Sequence, residues 1–332
     1  PQIGQDAYLC ARMAETGSNL DQAAALLMSG RLVAIPTETV YGLAANALNE
    51  TAVLNIFKAK ERPFFDPLII HVHSLEAAGK YAVFHDARLE ALARAFWPGP
   101  LTLLLPKKDL IPAIVTSGLA QVAVRVPRHP LCLELLKKTD LPLAAPSANP
   151  FGYVSPTEPA HVERQLGGRI DYILDGGPAS VGIESTIVGV EDGQVCVFRL
   201  GGLAVEELEK ICGPVTLRIN HSSDPKAPGQ LKNHYAPRKP LFTGQRDTLL
   251  KAHASRKIAL IGFGPGLPEP QAALLVFNLS ETGDLTEAAL NLFRFLRQAD
   301  ESEAEVVICE LLPEQGLGRA INDRLKRAAV KA

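Results

Sequence analysis

No Cys-x-x-Cys pair occurs in this sequence, and its five cysteines, Cys10, Cys132, Cys196, Cys212 and Cys309, show no metal-ligand spacing. A scattered, odd set reads as reduced thiols of a cytosolic protein, not as a disulfide frame or a zinc site. Long apolar runs are missing too, and the first residues lack a basic-then-apolar pattern. The expectation is a soluble, cytoplasmic chain without a membrane span or leader. Neither sign of charge is in surplus: 34 Lys and Arg face 36 Asp and Glu, for a net charge of -2. No global field is then available to grip a nucleic-acid backbone, and anion binding must come from local clusters. Aromatic residues make up only 6%, few for a surface that stacks bases. No GxxxxGK[ST] is present, which excludes a P-loop. No GxSxG surrounds Ser147, which excludes a nucleophile elbow.

What is present is ordinary globular composition, 47% hydrophobic and 21% charged over 332 residues, enough for two domains. Apolar strands are expected at Arg31–Ile35, Leu68–Val72, Leu101–Leu105, Val122–Val126, Thr186–Val190 and Val195–Phe198. Helical spacing marks Thr51–Lys60, capped by Asn49 and stopped by Pro63, and also Ala87–Phe96, Pro130–Lys138 and Val205–Cys212. This α/β pattern runs to about residue 216. Residues 217–240 are polar and proline-rich and read as a linker. Strands at Lys257–Gly262 and Val306–Glu310 and a helix at Leu285–Gln298 then predict a smaller α/β unit over 241–332.

Six segments carry candidate chemistry. Thr37, Glu38 and Thr39 leave a strand ahead of Gly42, a setting for a small polar ligand or simply a capped turn. Lys60 and Arg62 flank a helix stop, where they can meet a phosphate or merely the helix dipole. In Leu68–His73, alternation puts His71 and His73 on one face, with polar ligand contact favoured over metal binding. Arg125 shares a face with Ala123, and Arg199 one with Val195 and Val197. Either arginine, if taken out of water, needs an anionic partner; the alternative is a wet edge strand. Prolines on both sides of Ser147 and Asn149 present two small polar side chains rigidly, and Ser155 follows in the next loop. Glu184, Ser185 and Thr186 open another strand.

PTETVYGL, KxRP with PLIIHV, WPGPLT, VAVRVP, APSAN and GIESTI, in this order, resemble the Sua5/YrdC family. The linker ending His234-Tyr235-Ala236-Pro237 and the unit after it resemble the long Sua5 form. The resemblance covers essentially the whole chain and implies L-threonylcarbamoyladenylate synthase activity. Such enzymes join L-threonine, bicarbonate and ATP, release pyrophosphate, and supply the N6-threonylcarbamoyl modification of tRNA adenosine 37. The implied fold is a twisted, mostly β sheet with helices around a basic cavity (α+β), plus a small Rossmann-like C-terminal domain.

Matched by motif, Lys60, Arg62, Ser147 and Asn149 are the implied catalytic and phosphate-holding residues. Asp66, Gln121, Ser155, Arg199 and Tyr235 complete the implied ATP positions. Thr37, Thr39, His71, Arg125, Ala145 and Ser185 fall at L-threonine positions. Asp66 stands where the family commonly has Asn, and repels phosphate unless it binds Mg²⁺ or points away; Gln121 stands where some members carry Thr. Mg²⁺ is expected on the ATP phosphates with no side-chain ligand, and tRNA threonylcarbamoyl-transfer proteins are the expected downstream partners. The linker is expected across the cavity mouth with Tyr235 near the nucleotide. The rival reading is an RNA-binding module that uses the same basic cavity without catalysis.

Overall fold

The computed structural model describes residues 13–219, 227–228, 235–271 and 273–330. The first unit runs β1 (Glu15–Gly17), α1 (Leu20–Met28), β2 (Val33–Ile35), β3 (Gly42–Asn46), α2 (Glu50–Lys60), β4 (Ile69–His71), α3 (Leu75–Tyr81), α4 (Ala87–Phe96), β5 (Leu101–Pro106) and α5 (Ala113–Thr116). It continues through β6 (Gln121–Arg125), α6 (Pro130–Thr139), β7 (Leu143–Ala144), α7 (Pro159–Leu166), β8 (Tyr172–Leu174), β9 (Thr186–Glu191), β10 (Gln194–Arg199), α8 (Val205–Cys212) and β11 (Thr216–Leu217). The second unit holds β12 (Leu241–Thr243), α9 (Arg246–Ala252), β13 (Ile258–Gly262), β14 (Leu274–Asn278), α10 (Leu285–Glu301), β15 (Val306–Cys309) and α11 (Leu317–Ala328).

The strands of the first unit form one mixed sheet in the order β1-β8-β2-β3-β7-β4-β6-β5-β9-β10-β11. Register places His71 of β4 beside Arg125 of β6, and Arg125 beside Thr102 of β5. Three separate segments are thereby brought to one spot. The second sheet, β12-β15-β13-β14, is parallel at every pairing and flanked by helices, a small Rossmann-like layer.

Local sequence explains the edges of α2. The Asn49 side chain accepts from the Ala52 amide at 3.1 Å, and the helix buries Val53, Ile56 and Phe57. It ends because Glu61 turns left-handed, at φ 54°, with Pro63 just beyond. That stop turns Arg62 inward, its amide on the Phe57 carbonyl at 3.0 Å.

Two expectations about faces are corrected. β4 ends at His71, so alternation does not carry on to His73, which lies outside it and meets Asp140 at 3.2 Å. In β10 a bulge falls between Val197 and Arg199. It turns Arg199 to the face of Phe198, away from the one Val195 and Val197 share.

The two units share one apolar core: Val154, Ile183 and Leu200 of the first lie in the same buried cluster as Phe293, Leu296 and Leu325 of the second. The linker also packs where it is described. Ala227 is fully buried against Ile69, Leu104, Ala123 and Phe198 on the concave sheet face, and Tyr235 is 1% exposed. Its polar composition masked these two anchors. Among the described residues no helix is long and apolar enough to cross a membrane.

Candidate active site

The concave face of the sheet holds a cleft with about 580 Å³ of empty space, lined among others by Thr37, Thr39, Arg62, His71, Arg125 and Ala145. Ser147, Glu184, Ser185, Arg199, Pro228 and Tyr235 complete its wall. All six candidate segments thus contribute to it, together with two linker residues, Pro228 and Tyr235.

At one end the charges are arranged around Arg125. Its guanidinium donates to the Thr39 hydroxyl at 2.8 Å and the Gly99 carbonyl at 3.2 Å. It pairs with Glu38 at 2.8 Å, and both side chains are nearly inaccessible. The wet-edge alternative for Arg125 is thereby excluded. Thr37 locks the turn: its hydroxyl donates to the Val40 carbonyl at 2.6 Å and lies 2.8 Å from that of Thr39. His71 is buried with no hydrogen-bond partner at Nδ1 among the described residues. Burial, and then the charge of Arg125, pulls its pKa down to about 3, so the ring is neutral. Ser185 is 2.7 Å from the Thr102 hydroxyl.

The other end is richer in cation. Arg62 reaches the Pro67 carbonyl at 2.9 Å and pairs with Asp66 at 2.9 Å. Asp66 is fully buried, and its carboxylate is turned to Arg62, which resolves the clash that a bare acid makes with phosphate. Arg199 donates to the Ser185 carbonyl and hydroxyl, both at 3.0 Å. No carboxylate lies within ion-pair reach of it among the described residues. Burial accordingly lowers its pKa, to about 10.

Lys60 does not line the cleft. Its ammonium is spent on the carbonyls of Ser147 and Asn149, at 2.5 and 2.6 Å, and burial lowers its pKa well below the ordinary value. It braces the loop that presents Ser147. Asn149 donates to the carbonyls of Pro150 and Tyr153 at 2.8 and 2.9 Å, leaving Oδ1 buried without a hydrogen-bond partner. Ser155 is also wholly buried and donates to Glu184 at 2.5 Å. Gln121 sits at the opposite end of β6 from Arg125, paired with Pro106, and is not part of the cleft wall. His234 lies outside the described residues. Tyr235 stacks on Phe293, centroids 5.6 Å apart, with Arg324 and Arg327 over its ring at 5.3 and 4.8 Å.

Sequence reasoning named Asp66 but gave Glu38 and Glu184 no role, and it missed the far arginines. Glu38 stands inside a quoted motif but carries no pattern that distinguishes pairing from exposure. Glu184 accepts from Arg324 of α11 at 3.1 Å. Arg297 of α10 donates to the Ser155 carbonyl at 3.3 Å and to that of Val154. Both arginines come from another unit, so no local signal announces them. No group of three or more His, Cys, Asp or Glu suited to a metal ion occurs among the described residues.

A mixed sheet that buries arginines and hydroxyls around a cleft, backed by a Rossmann-like unit that grips Glu184 of the cleft wall, defines an α/β enzyme for small anionic substrates. Residues 25–201 match the Sua5/YciO/YrdC family model, described as Telomere recombination. Residues 203–330 match the model of the threonylcarbamoyl-AMP synthase C-terminal domain. The chain belongs to the Sua5/YciO/YrdC family and has the long Sua5 form. It is 41% identical to the threonylcarbamoyl-AMP synthase of Pyrococcus abyssi, covering 92% of this chain and 93% of that protein. It is 39% identical to the enzyme of the same name from Bacillus subtilis, over 93% and 92% of the two chains. The crystal structure of P. abyssi Sua5 complexed with L-threonine superposes with a TM-score of 0.88 at 39% identity, covering 96% of this chain and 97% of that one.

Proposed function

We propose that this chain is a threonylcarbamoyl-AMP synthase that makes its product from L-threonine, bicarbonate and ATP with release of pyrophosphate. The carrying observation is Arg199, a buried guanidinium on the cleft wall whose only hydrogen-bond partner among the described residues is Ser185. A cation held out of water without a counter-charge is costly, and an anionic ligand offsets that cost.

The threonine amine forms an N–C bond to the carbon of bicarbonate, whose hydroxyl leaves with an amine proton as water, to give a carbamate. A carbamate oxygen then attacks the α-phosphorus, and the bond to pyrophosphate breaks. Positioning and charge neutralisation do most of the work in such a displacement, consistent with a wall of arginines and hydroxyls. Arg125 is assigned to the threonine carboxylate, with Thr39, His71 and Ser185 around the rest of the amino acid and Thr37 and Ala145 shaping its pocket. Arg62, Arg199, Ser147 and Asn149 are assigned to the triphosphate, and Lys60 acts on it through the loop it braces. Ser155 spends its proton on Glu184 and so offers the ligand only lone pairs.

Mg²⁺ enters with ATP. The carboxylates at the cleft, Glu38, Asp66 and Glu184, are each turned to an arginine, so phosphate oxygens and water hold the ion. The product serves tRNA threonylcarbamoyl-transfer proteins in the cytoplasm. The test is pyrophosphate release by the purified full chain. Release that needs ATP, L-threonine and bicarbonate together is expected; release indifferent to threonine or bicarbonate refutes the assignment, and a non-catalytic RNA-binding module releases none.

A further inference from the structure

The C-terminal unit reaches a residue of the cleft wall, Glu184, through one side chain in particular. Arg324 of α11 is 0% exposed, the bulkiest of the fully buried side chains. Its Nε and Nη2 lie 3.2 and 3.1 Å from Oε2 of Glu184, and Nη1 donates to the Leu200 carbonyl at 2.6 Å. Asp323 is 3.2 Å from the same Nη1. The other oxygen of Glu184 receives the Ser155 hydroxyl at 2.5 Å. A chain of contacts therefore runs from α11 through Glu184 to Ser155. Arg324 also lies over Tyr235.

The geometry has a reason beyond holding two units together. Glu184 is a carboxylate on the wall of a cleft that otherwise presents arginines, and it faces the ligand space beside Arg199 and Tyr235. Unneutralised, it repels a polyphosphate; swung out of place, it releases Ser155. The two-pronged contact from Arg324 does both jobs, because a planar guanidinium fixes a carboxylate in orientation as well as charge. The sequence also makes room for the docking. Gly182, two residues before Glu184, has φ +84°, and a Cβ there would come within 2.4 Å of the Leu290 backbone in α10.

We propose that Arg324 is a positioning residue for the nucleotide end of the cleft, acting through Glu184 on Ser155, so that the C-terminal unit completes the ATP subsite. This rests on the reading of the cleft as an ATP site. The threonine end, built on Arg125, Thr39 and His71, lies outside the chain of contacts and serves as the internal control.

The experiment is calorimetric titration of the full chain with a non-hydrolysable ATP analogue and Mg²⁺, and separately with L-threonine, for wild type, Arg324→Gln, Arg324→Lys, Ser155→Ala and the Arg324→Gln/Ser155→Ala pair. Arg324→Gln is expected to weaken the nucleotide by about tenfold or more, the scale of a lost charge-assisted contact, with L-threonine affinity unchanged. Arg324→Lys is expected to recover part of the loss. The double variant is expected to bind no worse than the weaker single one, because both changes cut the same chain. Wild-type nucleotide affinity in Arg324→Gln overturns the proposal. So does a double variant whose loss is the product of the two single losses, or a threonine affinity that falls in step with that for nucleotide. If Arg324→Gln does not fold, the same cycle is run with Arg324→Lys and Glu184→Gln, with the same criteria. A wild-type chain that binds no nucleotide refutes the functional reading itself and this proposal with it.

Discussion

Replacing Arg125 tests two roles of one side chain, the ion pair that it makes with Glu38 and the threonine contact proposed for it. Glu38 is 2% exposed, pairs with Arg125 at 2.8 Å, and has no other hydrogen-bond partner on either oxygen among the described residues. Arg125→Ala therefore strands a buried carboxylate, which costs about 3–5 kcal/mol. Loss of the bonds to Thr39 and Gly99 overlaps with that figure, each being worth about 1 kcal/mol on its own. The melting temperature is expected to drop by about 10 °C. In Arg125→Met/Glu38→Gln neither charge remains. Replacing a buried ion pair as a whole is often neutral in stability, so most of the loss should be regained, yet the group assigned to the threonine carboxylate is still gone. Thermal unfolding and threonine calorimetry on the same three proteins separate the effects. Wild-type threonine affinity in the double variant makes Arg125 purely structural. An unshifted melting temperature in Arg125→Ala refutes the account of Glu38.

Arg62→Ala is expected to slow pyrophosphate release by about 2–4 kcal/mol of transition-state stabilisation, and a wild-type rate rules out its phosphate role. Gly182→Val is expected to push α10 off the first unit, lowering the melting temperature and nucleotide affinity together; a stable, tight-binding variant shows that the close approach is not needed. In the folded chain the His71 pKa is lowered to about 3 and that of His161 likewise to about 3, in both cases first by burial. The unfolded chain takes up these protons first as pH falls below about 6.5. The contribution is thus complete above that pH and is lost toward pH 3, at roughly 1.4 kcal/mol per pH unit for a fully shifted group. Urea unfolding as a function of pH checks this, and His71→Gln should remove about half of the slope, because the two shifts are alike.

Much of the first unit is readable without coordinates. Ala87–Phe96 and Val205–Cys212 show helical spacing on one apolar face, and β5, β6 and β9 are short apolar runs; these depend on local pattern. β1, β3, β7, β8, β11, β12 and β14 are two to five residues long and exist because a neighbour offers a free edge, which no periodicity announces. The cleft divides the same way. Thr37, Thr39, Arg62, His71, Arg125, Ser147, Ser185 and Arg199 lie in motifs whose order is informative. Asp66, which holds Arg62, is a local neighbour at a motif position; the pairing of Glu38 with Arg125, and the arginines of α10 and α11, enter by tertiary contact. Lys60 shows the limit from the other side: the motif names it, but only the coordinates reveal that its charge is turned to the loop carbonyls. Gln121 likewise follows a motif position while its strand carries it away from the wall.

Because Glu184 on the cleft wall takes its counter-charge from Arg324 of α11, the order in which the chain emerges during translation matters. The long sheet can form once β11 has been made, since domains tend to fold in sequence as they are synthesised. At that stage Tyr235 has no Phe293 to stack on, and Glu184 faces a phosphate site without its counter-charge. Such an intermediate can hold its shape while remaining poor at binding nucleotide. If Arg324 acts as proposed, activity waits on the last helix to dock, and a chain cut short by a stop codon or a protease is silent.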